Sequence, residues 1–150
     1  MPLVILITTS RTLMMSVQQE VDRQLQLLPR RELAQKSLQY SKLILVKDDQ
    51  EMMYVANRYA PEHLIIETAN YMELSAQVVN AGSVFLGSLT PESAGDYASG
   101  TNHTLPTAGW ARAYSGVNMD SYIRKVTFQH ITPEGVRRIG PAVEKMAAGE

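Results

Sequence analysis

Two stretches of this sequence combine acidic and imidazole side chains that could carry chemistry. The first is the dipeptide Glu62-His63, and the second is the polar segment 91–106, PESAGDYASGTNHTLP. A histidine can accept a proton at neutral pH, and a neighbouring glutamate can take a second proton or activate a water molecule. A lone Glu-His pair is a weak signal, so a solvated glutamate beside a half-buried loop histidine stays open as the alternative.

The segment 91–106 has neither a helical nor a strand period, which predicts a long polar loop with a functional role. Gly95 would allow close approach of the backbone, and Asp96 could ligate a metal or pair with a substrate ammonium group. An Asx-turn or a cap is the alternative for Asp96. His103 could line a site or bond to its own loop, and His130 is assigned no role.

Composition limits the classes of function. The chain has 150 residues, 45% of them hydrophobic, and 14 basic against 15 acidic residues. No basic stripe favours nucleic acid, and the absence of cysteine excludes thiolate catalysis and Cys-ligated zinc. No segment has the length and pattern of a signal peptide, and none approaches the ~18 apolar residues of a membrane span. We predict a cytoplasmic protein that binds neither nucleic acid nor membrane.

The candidate residues need elements to position them, and short apolar runs alternate with amphipathic stretches along most of the chain. The predicted strands are 3–7, 42–46, 64–66 and 83–86, and the predicted helices are 11–28, 31–39, about 49 to 60, 71–80 and 133 onward. This alternation predicts an α/β fold: an open, mainly parallel βαβ sheet flanked by helices, incomplete and Rossmann-like.

The pattern changes after the fourth strand. We assign residues 1–107 to an α/β domain that carries part of the active site, and residues 108–150 to a C-terminal extension related to dimer formation. Within that extension a helix is predicted near Asp120, an extended stretch at 125–131, and a last helix with Thr132 as N-cap. The last helix has an apolar stripe with little chain left to cover it, so self-association is a further hypothesis.

Three segments taken together closely resemble histidinol dehydrogenase. They are NRYAPEHL at 57–64, AGSVFLG at 81–87 and PESAGDYASGTNHTLPT at 91–107. The combination is long, ordered and specific. The resemblance runs over essentially the whole chain and is weakest before residue 40.

The resemblance implies a zinc-dependent, homodimeric enzyme that oxidises L-histidinol to L-histidine through an aldehyde, with two NAD-linked hydride transfers. By position, His63 resembles the general base that takes the alcohol proton and contacts the substrate. Glu62 resembles the base that activates water on the aldehyde. Asp96 resembles a zinc ligand that also contacts substrate, and Glu150 a substrate-binding glutamate near the dimer interface.

The sequence also departs from the family pattern. Family chains are longer at the amino terminus, and their other zinc ligands are a glutamine and a histidine that would precede Met1 and a histidine beyond Glu150. Most NAD contacts also come from the upstream part, so the NAD-binding residues here are unknown. We therefore predict a C-terminal portion of the enzyme, lacking the extreme C-terminus, which alone binds zinc weakly and turns over no histidinol. The alternative is a non-catalytic α/β interaction module with a partner-binding loop at 91–106.

Overall fold

The structure, a computed structural model, describes residues 3–149 of the chain. These residues divide into two compact units, 3–118 and 119–149. The four strands lie in the first unit, and the long C-terminal helix lies in the second. The functional boundary at residue 107 stays a prediction.

Strands and helices alternate along the first unit. The strands are β1 (Ile5–Thr8), β2 (Lys42–Leu45), β3 (His63–Ile66) and β4 (Ser83–Leu86), and the helices are α1 (Arg11–Leu25), α2 (Arg31–Leu38), α3 (Asp49–Tyr59), α4 (Tyr71–Ser75) and α5 (Glu92–Tyr97). A 3₁₀ turn follows at Trp110–Arg112. The second unit contains a 3₁₀ turn at Met119–Tyr122, where a helix was predicted near Asp120, and the helix α6 (Pro133–Ala147).

The strands pair in parallel, which confirms the predicted α/β class. Strand β1 pairs with β2 and places Ile5 opposite Lys42, and β3 pairs with β4 and places His63 opposite Ser83. Among the described residues these are two separate two-stranded ladders, and β2 is connected to β3 through α3 without pairing to it. No helix in the described chain is long and apolar enough to cross a membrane.

Local sequence signals explain where several helices begin and end. The side chains of Ser10, Asp48 and Thr132 each accept a hydrogen bond from the backbone N–H three residues later, at 2.9 to 3.2 Å. These bonds satisfy donors that the first helical turn leaves unpaired. Helix α3 ends at Tyr59, its C-cap Ala60 adopts a left-handed φ of 56°, and Pro61 follows. The predicted Thr132 cap and the predicted end of the third helix before Pro61 are confirmed.

Helix α4 is shorter than the predicted 71–80 because a side chain from α3 binds the backbone that would continue it. The Asn57 Oδ1 atom accepts a hydrogen bond from the Val79 N–H at 2.8 Å, and Asn57 Nδ2 donates to the Gln77 carbonyl at 2.9 Å. These bonds fasten the segment before β4 to the end of α3. Helix α1 likewise ends at Leu25 and not at 28, ahead of Pro29.

The prediction of an aperiodic loop throughout 91–106 is wrong for its first part, because Glu92–Tyr97 is the helix α5. The buried residue of this helix is Gly95, whose backbone lies directly on the Phe85 ring. A helix that buries a glycine has no apolar stripe in its sequence, so periodicity could not find it. Beyond α5, residues 98–106 form no helix or strand.

The buried core of the first unit lies against β3. Its main cluster is formed by Met53, Ile66 and Leu74, from α3, β3 and α4, and the partly buried residues around it are Met52, Leu64, Tyr71, Val78 and Leu86. Burial of these apolar side chains holds β3 in place between its neighbours. The first residue of that strand is His63.

Candidate active site

The Glu62-His63 pair is fixed by the backbone of the segment that leads into β4. The Ser83 N–H donates to the Glu62 carbonyl at 2.8 Å, and the Gly82 N–H donates to the Pro61 carbonyl at 2.9 Å. A Cβ atom on Gly82 would lie 2.6 Å from the Glu62 carbonyl oxygen, so this approach requires glycine. The backbone that leads into His63 is therefore held by hydrogen bonds from Gly82 and Ser83, at the start of β4.

The His63 imidazole lies near the Phe85 ring, and α5 packs on that same ring. The ring centroids of His63 and Phe85 are 6.0 Å apart and the planes are inclined by 35°. A Cβ atom on Gly95 would lie only 2.8 Å from Phe85 Cε1. The Thr101 hydroxyl donates to the Gly95 carbonyl at 2.9 Å and ties the following loop to α5. Helix α5 and the His63 ring thus both lie near Phe85, so the position of this ring determines how closely α5 approaches His63.

Two carboxylates of α5 approach His63. Glu92 and Asp96 are four residues apart in the helix, so they lie on one face of it. The Glu92 Oε1 atom is 3.6 Å from His63 Nε2, with the two side chains 41% and 31% exposed. One donor atom from each of His63, Glu92 and Asp96 lies within 4.8 Å of the other two. We call these three residues the His63 cluster.

The donor types of the His63 cluster fit zinc. Zinc binds imidazole nitrogen and carboxylate oxygen at about 2.0 to 2.2 Å, and catalytic zinc sites typically have three protein ligands with one position left open. The donor atoms of the three residues lie within 4.8 Å of one another. Metal binding by Asp96 stays a prediction.

The other predicted site residues lie outside the His63 cluster. The carboxylate of Glu62 is not part of it, although Glu62 precedes His63 in the chain. His103 is exposed, in a loop where Asn102 Oδ1 accepts a hydrogen bond from the Thr104 N–H at 2.8 Å. Glu150, the predicted substrate-binding residue, lies outside the described residues. The catalytic roles of Glu62 and His63 stay predictions.

Glu92 is the member of the cluster that the sequence reasoning left without a role. Its spacing of four residues from Asp96 is a helical signal, but 91–106 was interpreted as a loop. A helix assignment would have placed both acids on one face. Their approach to His63 depends on the contact between Gly95 and Phe85, which no local pattern in the sequence indicates.

Comparison with known proteins gives one consistent result. The sequence model of a family described as histidinol dehydrogenase matches residues 1–150. The chain is 68% identical over 145 residues to histidinol dehydrogenase of Bacteroides thetaiotaomicron and 66% identical over 145 residues to that of Bacteroides fragilis. Each alignment covers 97% of this chain.

The fold agrees with a solved structure as well. A crystal structure of histidinol dehydrogenase from Elizabethkingia anophelis matches with a TM-score of 0.86 and 48% sequence identity, over 98% of this chain. The chain spans about a third of the length of these relatives, 34% in each of the three comparisons.

Proposed function

Because the chain belongs to the histidinol dehydrogenase family, we propose that it supplies proton-transfer residues and one metal ligand to an enzyme that oxidises L-histidinol to L-histidine. The observation that carries this proposal is the His63 cluster, in which an imidazole lies beside two carboxylates. Such a group can accept a proton from an alcohol, and its negative charge favours a substrate that carries an ammonium group.

In the first oxidation, His63 accepts the proton of the substrate hydroxyl. A hydride leaves the carbon that bears this hydroxyl, and the alcohol becomes an aldehyde. Because the His63 backbone is fixed at the start of β3, the ring has fewer conformations to lose before proton transfer. General-base catalysis of this kind typically contributes a factor of about 10² to 10⁴ in rate.

In the second oxidation, Glu62 accepts a proton from a water molecule that adds to the aldehyde carbon. The former carbonyl oxygen takes up a proton as the hydrate forms, and the hydrate then loses a second hydride and releases a proton to solvent to give the carboxylic acid. NAD, when bound, accepts the hydride in each oxidation, and we assign no residue of this chain to it. Glu62 suits a separate step because its carboxylate is not held in the His63 cluster.

Asp96 is the residue of this chain that we assign to zinc, which when bound would orient the imidazole and amine of the substrate. The α5 helix presents Asp96 on the face that carries Glu92, next to His63. The same residue would then contact the substrate. Glu150 is retained as a substrate-binding residue on the resemblance alone.

We further propose that the enzyme is a homodimer. Its support within this chain is the amount of exposed apolar surface in residues 119–149, which includes Phe128 at 90% exposure. Large exposed apolar side chains of this kind typically mark surfaces that a partner covers. The cytoplasmic location stays a prediction.

The function is tested in a chimera, in which this chain replaces the matching 145 residues of the Bacteroides thetaiotaomicron enzyme. We expect the chimera to reduce NAD with histidinol, and His63→Asn to lower kcat by about 10²- to 10⁴-fold, as loss of a general base does. The exposed His130 provides the control, and His130→Asn should leave kcat unchanged.

Two results would contradict the proposal. One is a folded chimera that oxidises no histidinol, and the other is a His63→Asn variant with unchanged kcat. The first result would favour the alternative that residues 91–106 bind a partner in a non-catalytic module, and the second would exclude His63 as the general base.

A further inference from the structure

We infer that Glu92 is a positioning residue for His63: its carboxylate holds the imidazole by Nε2 and leaves Nδ1 to accept the proton. This inference rests on the proposed function for its catalytic consequence. Its basis in the structure is the distance of 3.6 Å between Glu92 Oε1 and His63 Nε2.

The contact results from how α5 is docked. The buried Gly95 brings the helix backbone onto the Phe85 ring, which also lies near the His63 ring. Glu92 is the first residue of α5, directly after the N-cap Pro91, and Asp96 is about one turn further along the same face. One docking contact therefore brings two carboxylates to the same imidazole, and each can have a separate task.

A carboxylate on one ring nitrogen has two effects on a histidine that acts as a base. It keeps the proton on the nitrogen it faces, so the other nitrogen carries the lone pair, and it restrains rotation of the ring. It also stabilises the imidazolium that forms when the proton arrives. The observed 3.6 Å is slightly longer than a hydrogen bond, and catalytic hydrogen bonds in ligand-free proteins often shorten when substrate binds.

Asp96 is less suited to this task if it binds zinc, because a metal-bound carboxylate has less negative charge available for the ring. Glu92 lies in the same cluster, with its Oε1 atom 3.6 Å from His63 Nε2. Residues that orient a catalytic or ligating imidazole typically change rate or affinity by about 10- to 100-fold when they are replaced.

The first test uses Glu92→Gln in the chimera, because glutamine keeps the shape and packing of glutamate and removes its charge. We expect kcat to fall by about 10- to 100-fold, while the KM for histidinol, the zinc content and the Tm stay unchanged. Glu32→Gln is the matched control, since Glu32 is also an acid in the first turn of a helix. Unchanged kcat in Glu92→Gln would overturn the inference, and loss of zinc would assign Glu92 to the metal instead.

The second test does not depend on activity and uses the 150-residue chain. Nitrogen-15 NMR of the histidine rings reports which nitrogen carries the proton, and a His63→Asn sample assigns the signals. We expect neutral His63 to be protonated at Nε2, and Glu92→Gln to shift it towards a mixture of tautomers. An unchanged tautomer in Glu92→Gln would overturn the inference even if the chimera oxidises histidinol. A failure of the proposed function would instead appear as an inactive parent chimera.

Discussion

Glu62 and His63 are adjacent in the chain, but their side chains have different surroundings. His63 lies near Phe85 and faces Glu92, whereas the Glu62 carboxylate makes no hydrogen bond or ion pair within the described residues. A base that activates water needs access to solvent and a free lone pair, while a base that takes a substrate proton needs a fixed direction. The two environments therefore suit the two proposed steps.

Replacement of Glu62 by glutamine should separate the two oxidations. In Glu62→Gln the first hydride transfer is retained, but water addition to the aldehyde slows by about 10²- to 10⁴-fold because its base is missing. A single turnover of the chimera should then yield close to one NADH per histidinol in place of two. Glu67→Gln, on an exposed acid just after β3, serves as the control. Two NADH formed at the parent rate in Glu62→Gln would contradict the assigned role.

Helix α5 is a short element whose position depends on one tertiary contact. It has six residues and no side-chain cap, and an isolated helix of that length is not stable in water. Its stability therefore comes from the docking of Gly95 on Phe85, a ring that is 5% exposed and closely surrounded. Both carboxylates of the His63 cluster depend on this docking.

An added methyl group at Gly95 should displace α5. In Gly95→Ala the new Cβ would lie 2.8 Å from Phe85 Cε1 and 3.0 Å from Cζ, closer than carbon atoms can pack. We expect the free energy of unfolding to fall by about 1 to 3 kcal/mol from overpacking. Urea unfolding measures this change, and zinc titration of the chimera should show weaker binding because Asp96 moves with the helix.

Gly140 is the matched control for this substitution. It also lies within a helix, α6, but a Cβ atom there meets no side chain within 4 Å outside the adjacent residues. Gly140→Ala should change the free energy of unfolding by less than Gly95→Ala does, because the higher helix propensity of alanine is offset by contact of its Cβ with the adjacent Pro141 ring. Equal effects of the two substitutions would show that the Phe85 contact does not determine the position of α5.

The second unit, residues 119–149, leaves most of its apolar side chains in solvent. Helix α6 has a stripe formed by Val136, Ile139, Val143 and Met146, each at least 46% exposed. The helix is secured at its start by the Thr132 cap and by ion pairs from Glu134 to Arg137 and Arg138. Local interactions thus explain why the helix forms, but no other residues of this unit pack over its apolar stripe.

A charge placed in this stripe should weaken the proposed homodimer. In the chimera, Val143→Glu would bury an unpaired carboxylate, and we expect the dimer dissociation constant to rise by about 100-fold or more. Light scattering over a range of concentrations measures it. Lys145→Glu introduces the same side chain away from the stripe and should leave the dimer intact. A Val143→Glu variant that remains fully dimeric would exclude the stripe as the dimer contact.

The sequence by itself determined the α/β class, the parallel direction of strand pairing and most element positions. These depend on local signals: short apolar runs, helical periods, the Ser10, Asp48 and Thr132 caps, and the stop at Pro61. Such signals act between residues a few positions apart, so they can be read along the chain. Motif resemblance also indicated the family, and it singled out Glu62, His63 and Asp96 where spacing left their roles open.

The tertiary structure alone decided which of these residues meet. The loop prediction for 91–106 missed α5 because its buried residue is a glycine, and α4 ended early because Asn57 from another helix binds its backbone. Glu92 comes to His63 through the packing of Gly95 on Phe85, a contact between helix α5 and strand β4. Contacts of this kind depend on close packing in three dimensions, which the order of residues along one strand or helix does not encode.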